Sequence, residues 1–488
     1  MASLLVSILV TPEYLDFLQE DEYGFVILFT QLVAYTSVLD FGIGSWLLQK
    51  ISVGLISASD QTDAIIKKSY RVLFLVLIVS LPIIAIIAFK TDLFFSLPTG
   101  HAFSKTLFFF ALLASVVSIF FKPFTSIQVA KEHLRTNATI NFFSLLIFNV
   151  GSLVLLHLGW GINSFFLAHI TSVIINLSAS SYFLKKQKSF ALHIGIPTLS
   201  ETQTVLSGSF FIFLNAISAQ IIYNGDRIIL AGFVSLSSLS LFSLNIRVLE
   251  IGQTALIKMT DTYMPKMIKA ANLGVDFCYT YFFHISRLTA VAAILILANI
   301  FLFNQTFITL WIGPEWIMPS SEALTASYGL AVFLHVVFRI PSIFLFGLGK
   351  NEGYTKTSFA DGILNLTLSF LLIPKMGVMG AVTATVISTL VTSVPANIYL
   401  LKNALHKSRS FWRIIEPGLM PLAKSAPLLG ASLWASSAIS AFADSWLRFV
   451  FATILLNLII IPVTVMINFG GLKNLQKEIN QLNHGFHR

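Results

Sequence analysis

Apolar residues fall in long runs along this chain, and polar residues gather in the gaps between them. A run of roughly 20 apolar residues suits a helix that crosses a bilayer, where each backbone N–H and C=O must be satisfied inside its own segment. The pattern predicts fourteen spans, at roughly 3–18, 25–48, 70–89, 104–128, 138–157, 162–184, 208–232, 235–258, 283–304, 323–348, 356–374, 378–401, 421–442 and 446–468. The first is short, which leaves open a native start upstream of Met1. The gaps at 158–161, 234–235 and 375–377 leave room only for tight turns. No soluble domain fits anywhere.

Charge then orients the spans. Every second gap is basic: Lys50 to Arg71, Lys122 to Arg135, Lys185 to Lys188, Lys258 to Arg287, Arg339 to Lys356, Lys402 to Lys424, and the tail from Lys473 to Arg488. Of the 31 Lys and Arg, only Lys90, Lys105, Arg227, Arg247, Lys375 and Arg448 fall elsewhere. The opposite gaps lean acidic, with Glu13, Asp16, Glu20, Asp21 and Glu22 in one and Glu315 and Glu322 in another. Basic loops stay in the cytoplasm, so both termini are expected there.

The chain repeats itself at a spacing near 218 residues. His157–Lys186 (HLGWGINSFFLAHITSVIINLSASSYFLKK) parallels Pro374–Asn403 (PKMGVMGAVTATVISTLVTSVPANIYLLKN), each a Gly-flanked turn followed by an apolar run closing on Tyr, Leu and Lys. Pro123 and Pro341 match, and Asn149 lies near the counterpart of Asn365. Six spans precede each repeat boundary, so the halves share an orientation and an axis along the membrane normal would relate them. The expected layout is an all-α polytopic protein of about fourteen transmembrane helices. An N-terminal lobe at 1–184 (spans one to six) precedes a cytoplasmic linker at 185–207. A C-terminal lobe at 208–403 (spans seven to twelve), two extra spans within 404–470 and a cytoplasmic tail at 471–488 follow.

Composition agrees with lipid as the solvent: 56% of residues are hydrophobic and only 11% charged, against about 25% charged in a soluble domain. The formal charge of +9 is spread over loops rather than gathered into one patch, which argues against nucleic acid. The single cysteine, Cys278, cannot form an intramolecular disulfide. No phosphate-binding glycine loop, dinucleotide fingerprint or metal-ligand spacing stands in a suitable setting, so neither a nucleotide-driven pump nor a bound metal or cofactor is expected.

Ionisable residues inside spans are the functional candidates, because burying one costs about 2.5–3.5 kcal/mol on insertion scales. Arg247 lies mid-way along span eight, three residues from Glu250 on the same face. It is either a forked cationic ligand for a phosphate or acidic group, or half of an ion pair that locks helices. Asp226 and Arg227 lie in the outer half of span seven. Asp226 is a partner for a basic group on a neighbouring helix. Arg227 either meets substrate or snorkels to the interface.

Asp40 is buried in span two beside Gly42 and Gly44, where it either carries a proton or cation or anchors a salt bridge. Lys122 and Arg339 stand just before the matched prolines and form either a basic cytoplasmic entrance or plain interfacial anchors. His169 and His335 read as packed or pore-lining side chains, with no second ligand at metal spacing. Asn141, Asn149, Asn176, Asn215, Asn224, Asn245 and Asn365 suit helix–helix hydrogen bonds or a wet cavity.

Three stretches carry a family resemblance: Glu22–Gly44 (EYGFVILFTQLVAYTSVLDFGIG), Asp226–Glu250 (DRIILAGFVSLSSLSLFSLNIRVLE) and Gly377–Thr389 (GVMGAVTATVIST). They resemble bacterial polysaccharide-export flippases, the O-antigen and capsule repeat-unit translocases of the multidrug/oligosaccharidyl-lipid/polysaccharide superfamily. Phe242, where relatives often carry Tyr, and the short first span depart from that pattern. The resemblance implies a V-shaped pair of six-helix lobes in the bacterial inner membrane. It implies movement of an undecaprenyl-diphosphate-linked oligosaccharide from the cytoplasmic to the periplasmic leaflet by alternating access, among membrane lipids. H⁺ or Na⁺ as coupling ion and glycan polymerase machinery as a partner are further implications.

An ion-coupled drug or cation antiporter of the same superfamily is the main alternative, favoured by Asp40, Asp226 and Glu250. A lipid II flippase is a near neighbour. A membrane glycan polymerase, the different class, would need a larger outer loop than any gap provides.

Overall fold

The computed structural model describes residues 2–57, 61–95, 103–186, 194–405 and 410–484. Lys188, Lys407, Arg409 and Arg488 of the basic gaps, and part of the expected linker and tail, lie outside the described residues. All regular structure among the described residues is helical. The chain packs as two compact units, Met1–Ser240 and Leu241–Arg488.

The first unit comprises α1 (Ala2–Phe17), α2 (Glu20–Thr36), α3 (Ile43–Ser57), α4 (Gln61–Phe89), α5 (Lys105–Phe120), α6 (Lys122–Ala130), α7 (Leu134–His157), α8 (Asn163–Lys186) and α9 (Leu199–Phe233). Helix α10 (Leu236–Asn245) begins in it and ends in the second. The second unit continues with α11 (Arg247–Asn272), α12 (Val275–Ile312), α13 (Ser321–Val337), α14 (Arg339–Gly347), α15 (Asn351–Met376), α16 (Val378–Val391) and α17 (Ser393–Ala404). It closes with α18 (Phe411–Phe442), α19 (Trp446–Phe469) and α20 (Leu472–His484).

Ten helical segments among the described residues are long and apolar enough to cross a bilayer, and eleven when α5 and α6, bent by 41°, count as one. The remaining expected spans, 3–18, 235–258 and 421–442, fall on α1, on α10 with α11, and on α18. Large apolar side chains point outward along α4 (Val79, Ile83, Ile86) and α19 (Leu447, Leu458, Ile459), as lipid-facing helices require. The chain is a multi-pass membrane protein.

Five expected spans are interrupted rather than continuous. Span two breaks between α2 and α3, span four between α5 and α6, span eight between α10 and α11, and span twelve between α16 and α17. Span ten breaks similarly between α13 and α14, at Phe338. These interruptions matter because they place backbone ends and charged side chains within the membrane-spanning layer.

The core of the first unit explains part of the chain's phenylalanine content. Phe25, Phe29, Phe103, Phe108 and Phe166 pack edge-on or tilted, with ring centroids 4.6–6.3 Å apart. Gly24 cannot carry a side chain, since an added Cβ would lie 2.0 Å from the Leu236 carbonyl oxygen. That close approach of α2 to α10 is sealed by Ser240 Oγ, which donates to the Glu20 carbonyl.

Helix α9 packs on α2, α3 and α4. Arg71 Nη1 reaches both carboxylate oxygens of Glu201 at 2.9 and 3.2 Å, and Glu201 closes a capping box with Thr198 at the helix start. Span seven thus packs with the first unit, and helix already covers 199–207 of the expected linker. In the second unit the 38-residue α12 is the central element, packed against α11, α13, α18 and α19.

The sequence repeat has a counterpart in the element boundaries. An offset of 217 residues relates the end of α5 at Phe120 to that of α13 at Val337, and the start of α6 at Lys122 to that of α14 at Arg339. The same offset relates the left-handed turn residues Glu132 and Gly349, and the starts of α7 and α15 at Leu134 and Asn351.

Candidate functional site

Asp40 closes a short 3-10 turn, Ser37–Asp40, after which Phe41 and Gly42 are left-handed (φ 50° and 72°). One carboxylate oxygen accepts from the Gly42 amide at 2.8 Å and stabilises that turn. The other lies 4.0 Å from Lys122 Nζ. Lys122 is the first residue of α6, so the two charges sit at the breaks of two neighbouring spans. Ser126 Oγ, one turn further along α6, donates to the Gly44 carbonyl at 2.7 Å and locks α6 to α3. The structure thus joins two residues that the sequence offered separately.

Arg227 is half-buried on α9, its Nη1 3.4 Å from Asn224 Oδ1. A polar chain continues from there: Asn224 Nδ2 donates to Gln220 Oε1 (2.6 Å), Gln220 Nε2 to the Ala34 carbonyl (2.7 Å), and Tyr35 Oη to the Gln220 carbonyl (3.1 Å). These contacts tie α9 to α2 within the first unit. Asp226 stands one residue before Arg227 on the same helix and is half-buried.

In the second unit Arg247 opens α11, with Nη1 3.5 Å from Glu250 Oε2 and both side chains partly exposed, 28% and 20%. The interruption that places it there has a visible cause. Asn304 Nδ2, from α12, donates to the Asn245 carbonyl at 3.1 Å and to Thr325 Oγ1 at 3.0 Å. A side chain inserted into the backbone ladder kinks a helix. Asn245 Nδ2 in turn donates to the Trp316 carbonyl at 2.9 Å, and its Oδ1 accepts from the Met318 amide at 3.3 Å. All three polar residues, Asn245, Asn304 and Thr325, are buried. The sequence marked Asn245 but not Asn304; the signal was an amide within an otherwise apolar stretch of span nine.

Arg339 opens α14 as Lys122 opens α6. Its guanidinium donates to Asp261 Oδ1 at 2.8 Å and to Thr260 Oγ1 at 2.9 Å. Lys258 Nζ is 3.6 Å from the other Asp261 oxygen. In each unit, then, the basic residue that starts the half-helix faces an aspartate. Asp261 was not among the sequence candidates.

The histidines hold helix pairs together. His169 Nε2 lies 2.7 Å from Ser115 Oγ, joining α8 to α5, and its ring packs edge-on against Phe29. His335 Nε2 lies 3.1 Å from Thr389 Oγ1, joining α13 to α16. Asn365 Nδ2 donates to Thr385 Oγ1 at 3.0 Å, and Asn176 bonds both Asn141 and Ser144. Among the described residues no group of three His, Cys, Asp or Glu could hold a metal ion.

Two further basic residues outside the basic gaps have acidic partners close by. Lys105 pairs with Asp92 at 2.9 Å, and its hydrogen bond holds the Asp92 carboxyl below the usual carboxylate range. Arg448 pairs with Asp444 at 2.8 Å.

At the level of sequence, no protein-family model and no curated protein matches the chain. Solved structures do match its fold. A lipid II flippase, MurJ, in an inward closed conformation aligns over 96% of this chain and 97% of its own, with a TM-score of 0.67 at 16% identity. The chain has the fold of that flippase. A multidrug resistance MATE family transporter of the MOP superfamily aligns in its inward-facing conformation over 84% of this chain and 96% of its own, TM-score 0.58 at 14% identity. A MATE transporter of that superfamily in the outward-facing conformation aligns over 83% of this chain, TM-score 0.53 at 15% identity. The likeness to MurJ thus extends over more of this chain than the likeness to the MATE transporters.

Proposed function

We propose that this protein is a flippase for an undecaprenyl-diphosphate-linked oligosaccharide, an O-antigen or capsule repeat unit, moved from the cytoplasmic to the periplasmic leaflet of the bacterial inner membrane. The observation that carries the reading is Arg247. It stands at the start of α11 within an interrupted span, partly exposed, with Glu250 3.5 Å away. A diphosphate must shed water to cross the bilayer, which is prohibitive without compensating charge. A guanidinium fork supplies charge-assisted hydrogen bonds to two oxygens at once. The amino-terminal end of α11 adds its dipole in the same place. Discontinuous helices are the usual carriers of transporter substrate sites.

In this reading Glu250 holds Arg247 while the site is empty and yields it to the diphosphate. Arg339, Lys122 and Arg227 contribute positive potential along the route, each tempered by a local acid or amide, so that substrate is released as well as bound. The extended likeness to a lipid II flippase favours a second reading, in which lipid II is the cargo. The diphosphate chemistry is shared, and the sugars differ. Asp40 serves the coupling ion in the antiporter alternative; its Gly42 amide and Lys122 partners support a structural role instead. The protein is a carrier rather than an enzyme in all of these readings. Complementation of a strain lacking its oligosaccharide flippase, scored by surface glycan, tests the first reading. Rescue of a strain lacking its lipid II flippase, with no rescue of the first, would favour the second.

A further inference from the structure

At the end of the second unit that the basic gaps assign to the cytoplasm there is a cavity of about 580 Å³. It opens between the α14–α15 turn, the first turns of α15 and the last turns of α17. Leu345, Leu400 and Ala404 give it an apolar wall, and Lys350, Glu352 and Lys356 give it a charged one. Lys356 Nζ donates to Glu352 Oε1 at 2.6 Å, so those two charges cancel. The Lys350 ammonium has no acidic partner among the described residues. The cavity therefore carries one uncompensated positive charge beside apolar surface. Both helices that frame it show apolar side chains to the outside, Ile363 on α15 and Tyr399 on α17, which sets the cavity against the lipid rather than within a soluble face.

We infer that this cavity binds the headgroup of an anionic phospholipid of the cytoplasmic leaflet. A phosphodiester bears one negative charge and matches the single free ammonium, while the glycerol and upper acyl carbons cover Leu345, Leu400 and Ala404. Basic pockets between helices on the cytoplasmic side are suited to such headgroups. A diphosphate shares the phosphate chemistry but brings more charge than one lysine offsets, so the transported lipid fits this place less well. The site is separate from Arg247 in sequence and in element, and its occupancy does not depend on what the protein transports.

The test uses the full chain in nanodiscs containing equal phosphatidylglycerol and phosphatidylcholine, released and weighed by native mass spectrometry. Wild-type protein should retain phosphatidylglycerol preferentially. Lys350→Ala should reduce that preference about fivefold, the effect of one lysine near the surface. Leu400→Trp, which fills the cavity without changing charge, should also reduce it, and Lys67→Ala, an exposed lysine in another gap, should not. Equal retention of the two lipids, or a preference insensitive to Lys350→Ala, would overturn the proposal. In a second arm undecaprenyl diphosphate is added to the nanodiscs. If it displaces phosphatidylglycerol at equimolar ratio in a Lys350-dependent way, the site reads the transported lipid and the phospholipid assignment fails.

Discussion

Lys122 Nζ stands 4.0 Å from Asp40 Oδ2, and each residue marks a break in a membrane-spanning helix. At that distance, with Lys122 38% exposed, the ion pair itself contributes no more than about 1 kcal/mol. The stronger tie is the Asp40 bond to the Gly42 amide, which an asparagine can also accept. Asp40→Asn is therefore expected to lower thermal stability in detergent only slightly. Asp40→Leu, which leaves that amide and Lys122 without a partner, should cost about 2–3 kcal/mol. Wild-type stability of Asp40→Asn combined with complete loss of transport would assign Asp40 to ion coupling instead.

Asn304 should matter for transport without being placed to touch substrate. Asn304→Leu removes the donor that holds the Asn245 carbonyl and leaves Thr325 unsatisfied. A loss of about 1–3 kcal/mol in stability is expected, with transport falling further because Arg247 shifts. Double-electron resonance between labels on α10 and α12 would read the straightening. Unchanged distances with unchanged transport would refute the kink assignment.

Arg287 pins the carboxyl-terminal helix. Its guanidinium bonds Glu478 and the Asn468 carbonyl and lies 4.7 Å from the Phe469 ring centroid. Arg287→Ala should free α20, at a cost of about 2 kcal/mol for a charged hydrogen bond. Amide exchange across 472–484 should then quicken about thirtyfold, while exchange in α12 stays near wild type. Protection of α20 equal in both proteins would show that Leu475, packed near Val291 and Phe469, holds the helix alone.

Topology rests on the partition of basic residues. Reporter fusions at Ser59, Gln187 and Asn403 should register cytoplasm, and one at Pro314 the opposite side. Ser59 and Gln187 lie outside the described residues, so these fusions probe what the fold alone does not orient. A periplasmic signal at Gln187 would invert the assignment.

The apolar runs revealed the helices because lipid leaves the backbone no alternative partner. The paired Gly turns revealed the repeat. Breaks within spans were less legible. Pro123 and Pro341 stand at two of them but in the sequence mark only the repeat, and the break at Ile246 is bonded by Asn304, 58 residues away, a contact that no local pattern encodes. Asp261 escaped notice because it sits in a basic gap, where it reads as ordinary loop charge until α14 brings Arg339 to it. The grouping of α9 with the first unit follows from contacts such as Arg71 with Glu201, 130 residues apart, and from Gly208, where an added Cβ would meet the Trp46 ring at 2.4 Å. Composition alone placed that boundary in the hydrophilic stretch before it.

The central claim is that Arg247 carries the diphosphate across the membrane, and proteoliposome flipping tests it most directly. Purified protein is reconstituted with a fluorescent undecaprenyl-diphosphate oligosaccharide, and the fraction reaching the opposite leaflet is followed with an enzyme that cleaves only accessible sugar. Arg247→Ala should slow flipping by about tenfold to a hundredfold, the loss of charge-assisted hydrogen bonds worth about 1.5–3 kcal/mol, at equal incorporation. Arg247→Lys should recover part of the rate, since it keeps the charge and loses the fork. Wild-type flux through Arg247→Ala would contradict the account and leave Arg247 and Glu250 as an ion pair that only braces α11.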